Sequence, residues 1–276
     1  MQMRYRVLQS VSSKLPLPLA YWLADRVADA QWWRSVKDRN AVAENLQLID
    51  PVGASPQRER QVFRNFGHYL VEFFAIHGTT PTVQFQGEHH LQEAHAQGRG
   101  VISLTGHLGN WELAGVCVRR RGYAVSGIAL RHRDEETDRL FNHRRSLEGL
   151  GVIPLGPGAW RESLQVLQRG EVLGILGDRD FTNHGIRLPF FSASAVFPLG
   201  PALLSLRSGA PVVPTFLLRQ GPMKFQLIWE PAIRPPAHRS ASGAAEALTR
   251  EYVRVLESYI RRWPDQWLMF QPARVG

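Results

Sequence analysis

A chain of 276 residues with 44% apolar and 21% charged side chains has material for one large domain or two small ones, and is neither disordered nor fibrous in composition. A net charge of +9 predicts a surface that attracts polyanions, leaving nucleic acid, an anionic membrane and phosphorylated substrates all open. Cys117 is the sole cysteine, which excludes an internal disulfide and a cysteine metal cluster, and no apolar run reaches the ~18 residues of a membrane-spanning helix. The 33 basic residues are nearly all arginine, with lysine only at Lys14, Lys37 and Lys224. Guanidinium suits bidentate phosphate and carboxylate binding.

From Met1 to about Trp33 the chain mixes basic residues with Leu15, Leu17, Leu19, Tyr21, Trp22, Leu23, Val27, Trp32 and Trp33. Pro16 and Pro18 confine any long helix to the residues after them. A basic, Trp-bearing amphipathic helix suits an anionic bilayer interface, and a helix packed on the core is the plain alternative. Ser55 before Pro56 predicts a helix start, after which Val62, Phe66, Tyr69, Leu70, Phe73 and His77 recur at helical spacing and Gly78 follows.

Beyond residue 100 the pattern changes to short β-rich runs at 101–104, 123–130, 152–155, 172–176, 212–218 and 225–229. Helical stretches at 110–120, 134–149, 159–169 and 199–208 lie between them, and a last helix from Ala244 to Trp263 stops at Pro264. This alternation predicts an α/β fold with a largely parallel central sheet flanked by helices. The organisation expected is a single unit, residues 1–276, with a helical N-terminal layer over 1–78 and an α/β core over 79–276.

The chemistry concentrates at the end of the run 101–104. His107 follows Gly106 there, so its ring stands at the carboxyl edge of the sheet, where ligands bind in such folds. Glu112 lies five residues on, which on one continuous helix would place it on another face. Pairing with His107 therefore requires a turn at Gly109 and Asn110, with Glu112 in the first turn of the next helix. An imidazole held by a carboxylate is the equipment for activating a hydroxyl. A satisfied core histidine beside an ordinary helix-start carboxylate is the plain alternative.

The window Gly106-His107-Leu108-Gly109-Asn110-Trp111-Glu112 resembles the His-x4-Asp/Glu motif of the glycerolipid and lipid A acyltransferases, most closely the late acyltransferases of lipid A. Arg145 ahead of Gly149 and Gly151 resembles that family's arginine block, with Arg131 as second candidate. Asp178-Arg179-Asp180, then Pro189-Phe190-Phe191, are similar to its acidic block and Phe-Phe segment. The ending 264–272, with Trp267 and Pro272, is closer to that of bacterial phosphatidylinositol mannoside acyltransferases, although Leu268 stands where those carry histidine.

The resemblance implies a glycerolipid-acyltransferase-like fold and transfer of a fatty acyl group from acyl-CoA or acyl carrier protein to a lipid hydroxyl. It implies no metal, and no cofactor beyond that thioester co-substrate. His107 is the implied general base, with Glu112 and Asp178 competing as its orienting carboxylate and Arg145 as oxyanion or phosphate ligand. Asn110, Trp111, Arg131, Arg179, Phe190 and Phe191 are the implied substrate contacts, with Trp111 and the two phenylalanines lining an acyl tunnel. The expected partners are an anionic membrane surface, the donor and the acceptor, with the protein peripheral on the cytoplasmic face of the inner membrane.

Four other classes fit less well. A nucleic-acid module needs a basic reading face, and the arginines run along the whole chain with no recognisable binding motif. A Ser hydrolase needs a Gly-x-Ser-x-Gly turn, and a dinucleotide enzyme a Gly-x-Gly-x-x-Gly after a strand; neither occurs. An inactive scaffold is disfavoured by the presence of base, acid and arginine candidates together.

Overall fold

A computed structural model describes residues 15–76, 78–132, 134–182, 184–237 and 243–274. Lys14 and His77, both noted above, lie outside these residues. The first layer is helical: α1 (Leu17–Arg34), α2 (Val36–Ile49) and α3 (Pro56–Ala75). Pro16 caps α1 and Pro18 sits inside its first turn, where a missing N–H costs nothing, so the helix begins earlier than expected. It buries Ala20, Tyr21, Ala24 and Ala28 and leaves Leu19, Trp22 and Trp33 exposed. Helix α3 begins as the sequence predicts, with the Ser55 side chain accepting from the Arg58 N–H.

The core alternates strand and helix: β1 (Thr82–Gln86), α4 (Glu88–His95), β2 (Val101–Thr105), α5 (Trp111–Arg120), β3 (Val125–Ala129), α6 (Glu135–Leu147), β4 (Gly151–Pro154), α7 (Ala159–Gln168) and β5 (Val172–Leu176). A hairpin of β6 (Ile186–Phe190) and β7 (Ala193–Phe197) follows, then α8 (Gly200–Ser208), β8 (Val212–Gly221), β9 (Lys224–Trp229), α9 (Ala244–Arg262) and a 3₁₀ turn at Pro264–Gln266. Among the described residues the main sheet has seven strands in the order β1-β9-β8-β2-β5-β3-β4. Every pairing is parallel except β8 with β9, so the fold is α/β with a mostly parallel sheet flanked by helices. Because successive strand residues face opposite ways, Leu113, Val116 and Cys117 of α5 pack with Val101, Val172 and Val213 on one face. On the other, Ile102, Leu104 and Leu173 pack with Val166 of α7, Leu204 of α8 and Leu256 of α9.

A buried polar knot joins the helical layer to the sheet. Glu72 of α3 forms an ion pair with Arg219 of β8, both almost fully buried. The other Glu72 contacts are donors, the Tyr21 hydroxyl at 3.0 Å and Asn110 Nδ2 at 2.9 Å. Burial alone would lower the Arg219 guanidinium, but the charge and hydrogen bonds of Glu72, with Tyr21 and Asp265, together outweigh it and raise it. Removing one member of such a pair strands the other charge away from water. Arg219→Met is therefore expected to cost about 3–5 kcal/mol in urea unfolding at neutral pH. The double variant Glu72→Gln with Arg219→Met should recover most of that loss.

Candidate active site

Strands β2 and β5 are parallel neighbours, with Thr105 opposite Leu176. Two residues beyond each, at the same height, come His107 and Asp178. Register alone thus brings together residues 71 apart in sequence. Asp178 Oδ1 lies 2.8 Å from His107 Nδ1, and Oδ2 accepts the His107 backbone N–H at 2.6 Å and the Trp267 indole N–H at 2.9 Å. The Asp178 side chain is wholly buried, while the imidazole is 22% exposed. An ionised carboxylate accepts, so Nδ1 carries the proton and Nε2 is left as an acceptor.

Burial opposes the charge on Asp178, but the imidazole and the two N–H donors outweigh it and hold the carboxyl below its usual range. A lowered carboxyl contributes stability at neutral pH that is lost as pH falls below about 4.

Glu112 does not reach His107. The turn foreseen between them exists, with Gly109 at φ +66° and the Asn110 side chain capping α5. It sends the carboxylate to Arg145 of α6, with Arg145 Nε at 3.0 Å and Nη2 on the second oxygen. Arg145 Nη1 donates to Asn142 at 3.0 Å, so all three guanidinium nitrogens are engaged. Burial would lower Arg145, but the charge and hydrogen bonds of Glu112, with Tyr69 and Asp138, together raise it more. Arg145 thus ties α5 to α6 and stands, with Glu112, on the wall of the cavity beside His107.

A cavity of about 970 Å³ opens beside the imidazole, between the sheet and α5. Trp111 lines it, touching the His107 ring edge-on at 5.1 Å and stacking on Tyr69 at 4.4 Å. Arg131 and Arg179 also line it, the latter's guanidinium 4.3 Å from the Phe181 ring. Asn110 is fully buried on Glu72 and the Tyr69 carbonyl, a support rather than a substrate contact. Phe190 and Phe191 are not on the cavity: Phe190 packs on Phe197 and Trp267, and Phe191 under Arg261. Their rings meet edge-to-face at 4.5 Å, with Phe191 in the hairpin turn at φ 52°.

Sequence reasoning passed over two features. One is Trp267, noticed at the chain's end without a role. The other is a row of small residues across three adjacent strands, Ser103, Gly174 and Gly127, in register with one another. A Cβ added at Gly174 or Gly127 would meet nothing closer than 3.8 Å. Glycine inside a strand is the available signal for such a space. Among the described residues, no group of three or more His, Cys, Asp or Glu side chains is placed to hold a metal ion.

An imidazole backed by a buried carboxylate thus opens on a long apolar cavity at the carboxyl edge of a parallel sheet, where ligands of such folds bind. The chain belongs to the bacterial lipid A biosynthesis acyltransferase family, whose model matches residues 5–273. It is an enzyme that transfers acyl groups. It is 29% identical over 225 residues to a phosphatidylinositol mannoside acyltransferase of Mycobacterium tuberculosis, covering 75% of this chain and 67% of that one. The namesake from Mycolicibacterium smegmatis is 29% identical over 191 residues, 68% of this chain and 60% of that one. A lipid A biosynthesis acyltransferase of Haemophilus influenzae is 22% identical over 245 residues, 85% of this chain and 75% of that one.

Asp178→Asn should lower acyl transfer about 10³- to 10⁴-fold, because an amide in that place favours the wrong tautomer. Its loss of stability below about pH 4 should also be shallower than in the unaltered protein, as read by unfolding across pH.

Proposed function

We propose that this enzyme moves a long fatty acyl group from an acyl thioester, acyl-CoA or acyl carrier protein, to a hydroxyl of a membrane glycolipid. The observation that carries the reading is the His107–Asp178 pair at the mouth of a channel kept open by small residues. His107 Nε2 takes the acceptor's hydroxyl proton as that oxygen attacks the thioester carbonyl. The tetrahedral intermediate collapses with expulsion of thiolate, which takes the proton back from the imidazolium. Asp178 stays ionised and steadies the positive ring throughout. The steps need neither a covalent acyl-enzyme nor a metal. A glycolipid acceptor carrying phosphoinositol mannoside is the first to try, given the names of the mycobacterial relatives.

The acyl chain lies between the sheet and α5, over Ser103, Gly174 and Gly127 and under Ala114, Gly115 and Val118. One row deeper the strands carry Val101, Val172 and Val125 in register, bulky enough to close the floor. From His107 to that row is six strand residues, roughly 20 Å, the reach of a long-chain fatty acyl group. Arg131 and Arg179 at the mouth suit a phosphate of either substrate.

Four exposed apolar side chains, Leu130, Trp160, Phe181 and Leu203, also line the cavity. With the flanking arginines they support peripheral docking of the mouth on the cytoplasmic leaflet of an anionic inner membrane. Among the described residues no helix is long and apolar enough to cross a membrane.

Mass spectrometry of lipids incubated with acyl thioesters of graded length and a panel of glycolipid and lysolipid acceptors tests the reaction. Transfer is expected to one glycolipid class and to vanish in His107→Ala; full transfer by that variant would refute the mechanism. Gly127→Leu should fold normally yet shift the preferred acyl chain several carbons shorter. An unchanged chain preference would remove the channel from the argument. In flotation assays the protein should rise with vesicles containing anionic lipid, and Trp160→Asp combined with Leu203→Asp should weaken this severalfold.

A further inference from the structure

The C-terminal segment beyond α9 lies against the loop that carries His107. Leu268 N–H donates to the His107 carbonyl at 2.6 Å, Gly109 N–H donates to the Gln266 carbonyl at 3.0 Å, and Leu108 bridges Trp267 antiparallel. Between these ties the Trp267 ring, 2% exposed, turns inward and donates its indole N–H to Asp178 Oδ2 at 2.9 Å.

A buried indole needs only some acceptor, and here the acceptor is the carboxylate that holds His107. Oδ2 receives two donors, the His107 backbone N–H and the indole, which fixes the rotation of the carboxylate and leaves Oδ1 to face Nδ1. Indole nitrogen donates and never accepts. It therefore favours the ionised carboxylate and takes no part in proton exchange with it.

We infer that Trp267 is a positioning residue for acyl transfer: its indole N–H fixes the orientation and charge of Asp178, and through Asp178 the tautomer and aim of the His107 ring. The inference rests on the His107–Asp178 mechanism proposed above. Trp267 itself does not line the substrate cavity. The other charged groups around the pair are Arg179 beside Asp178, Glu112 matched by Arg145, and Asp180, whose oxygens accept from Thr182 and Gly185.

The test compares Trp267→Phe with replacement of Trp267 by benzothienylalanine, which keeps the bicyclic shape and removes only the N–H. Both should lower kcat about tenfold or more, the worth of a hydrogen bond to a charged group, with KM for donor and acceptor within about twofold. A carboxylate that has lost a donor holds the ring proton more strongly. The acid limb of the kcat/KM profile should therefore move to higher pH in both variants, and the NMR titration of the His107 ring should move with it. Normal kcat and an unmoved titration in the benzothienylalanine protein would overturn the inference, as would a loss confined to KM. If the unaltered enzyme transfers no acyl group to any lipid offered, the proposed function falls, and the NMR titration still decides the role of Trp267.

Discussion

The structure turns on one ionised carboxylate with no exposed surface. Asp178 is tolerable in the interior only because three donors converge on it, two from His107 and one from Trp267. Those donors come from the end of β2 and from the last residues of the described chain. The charge is therefore satisfied only after the parallel sheet has formed and the C-terminal segment has closed over it. Gly106 belongs to the same constraint, since a Cβ there would stand 2.9 Å from Asp178 Oδ2. The glycine before the histidine is required by the carboxylate, not by the loop alone.

Two further ion pairs brace the same loop from either side. Glu72, locked to Arg219, holds Asn110, which caps α5; Glu112 on the next turn holds Arg145 of α6. Buried pairs add little net stability over apolar residues of the same size. What these contribute is geometry: the Glu112–Arg145 pair has one end on the motif, and the Glu72–Arg219 pair reaches it through Asn110. Gly109 passes so close to β8 that a Cβ would lie 2.0 Å from the Leu217 carbonyl oxygen, and the loop has no room to shift. The motif Gly106–Glu112 therefore presents His107 and Trp111 to the cavity and carries several contacts that fix where the imidazole points.

Most of the α/β core was legible because its elements carry strong periodicity, and the six apolar runs from 101 to 229 are all strands. The hairpin β6–β7 was not, since Pro189 and the Phe-Phe pair suggest a loop, and its strands are held to one another rather than to the main sheet. Strand β1 was hidden because four of its five residues are exposed and so carry no apolar signal. At the site, His107 could be found from its neighbours in sequence. Its partner could not be chosen, because spacing along the chain favours Glu112 while the register of β2 on β5 delivers Asp178. Phe190 and Phe191 attracted a binding role because adjacent aromatics near a turn resemble a contact surface, whereas their rings pack on each other, on Phe197 and Trp267 and under Arg261.

The channel is the converse case, a function written in what the sequence omits. Central strands of a buried parallel sheet are ordinarily filled with branched apolar residues, which pack the layer between sheet and helix. Here the valine row Val101, Val172 and Val125 follows that rule, and the next row toward the carboxyl edge breaks it with Ser103, Gly174 and Gly127. Glycine there weakens the strands and forgoes packing that valine would contribute. Helix α5 matches the omission with Ala114 and Gly115 on the opposite wall. A loss repeated in step on three strands and one helix points to space kept for an apolar occupant, and its open end lies at the His107 imidazole, which the buried Asp178 holds.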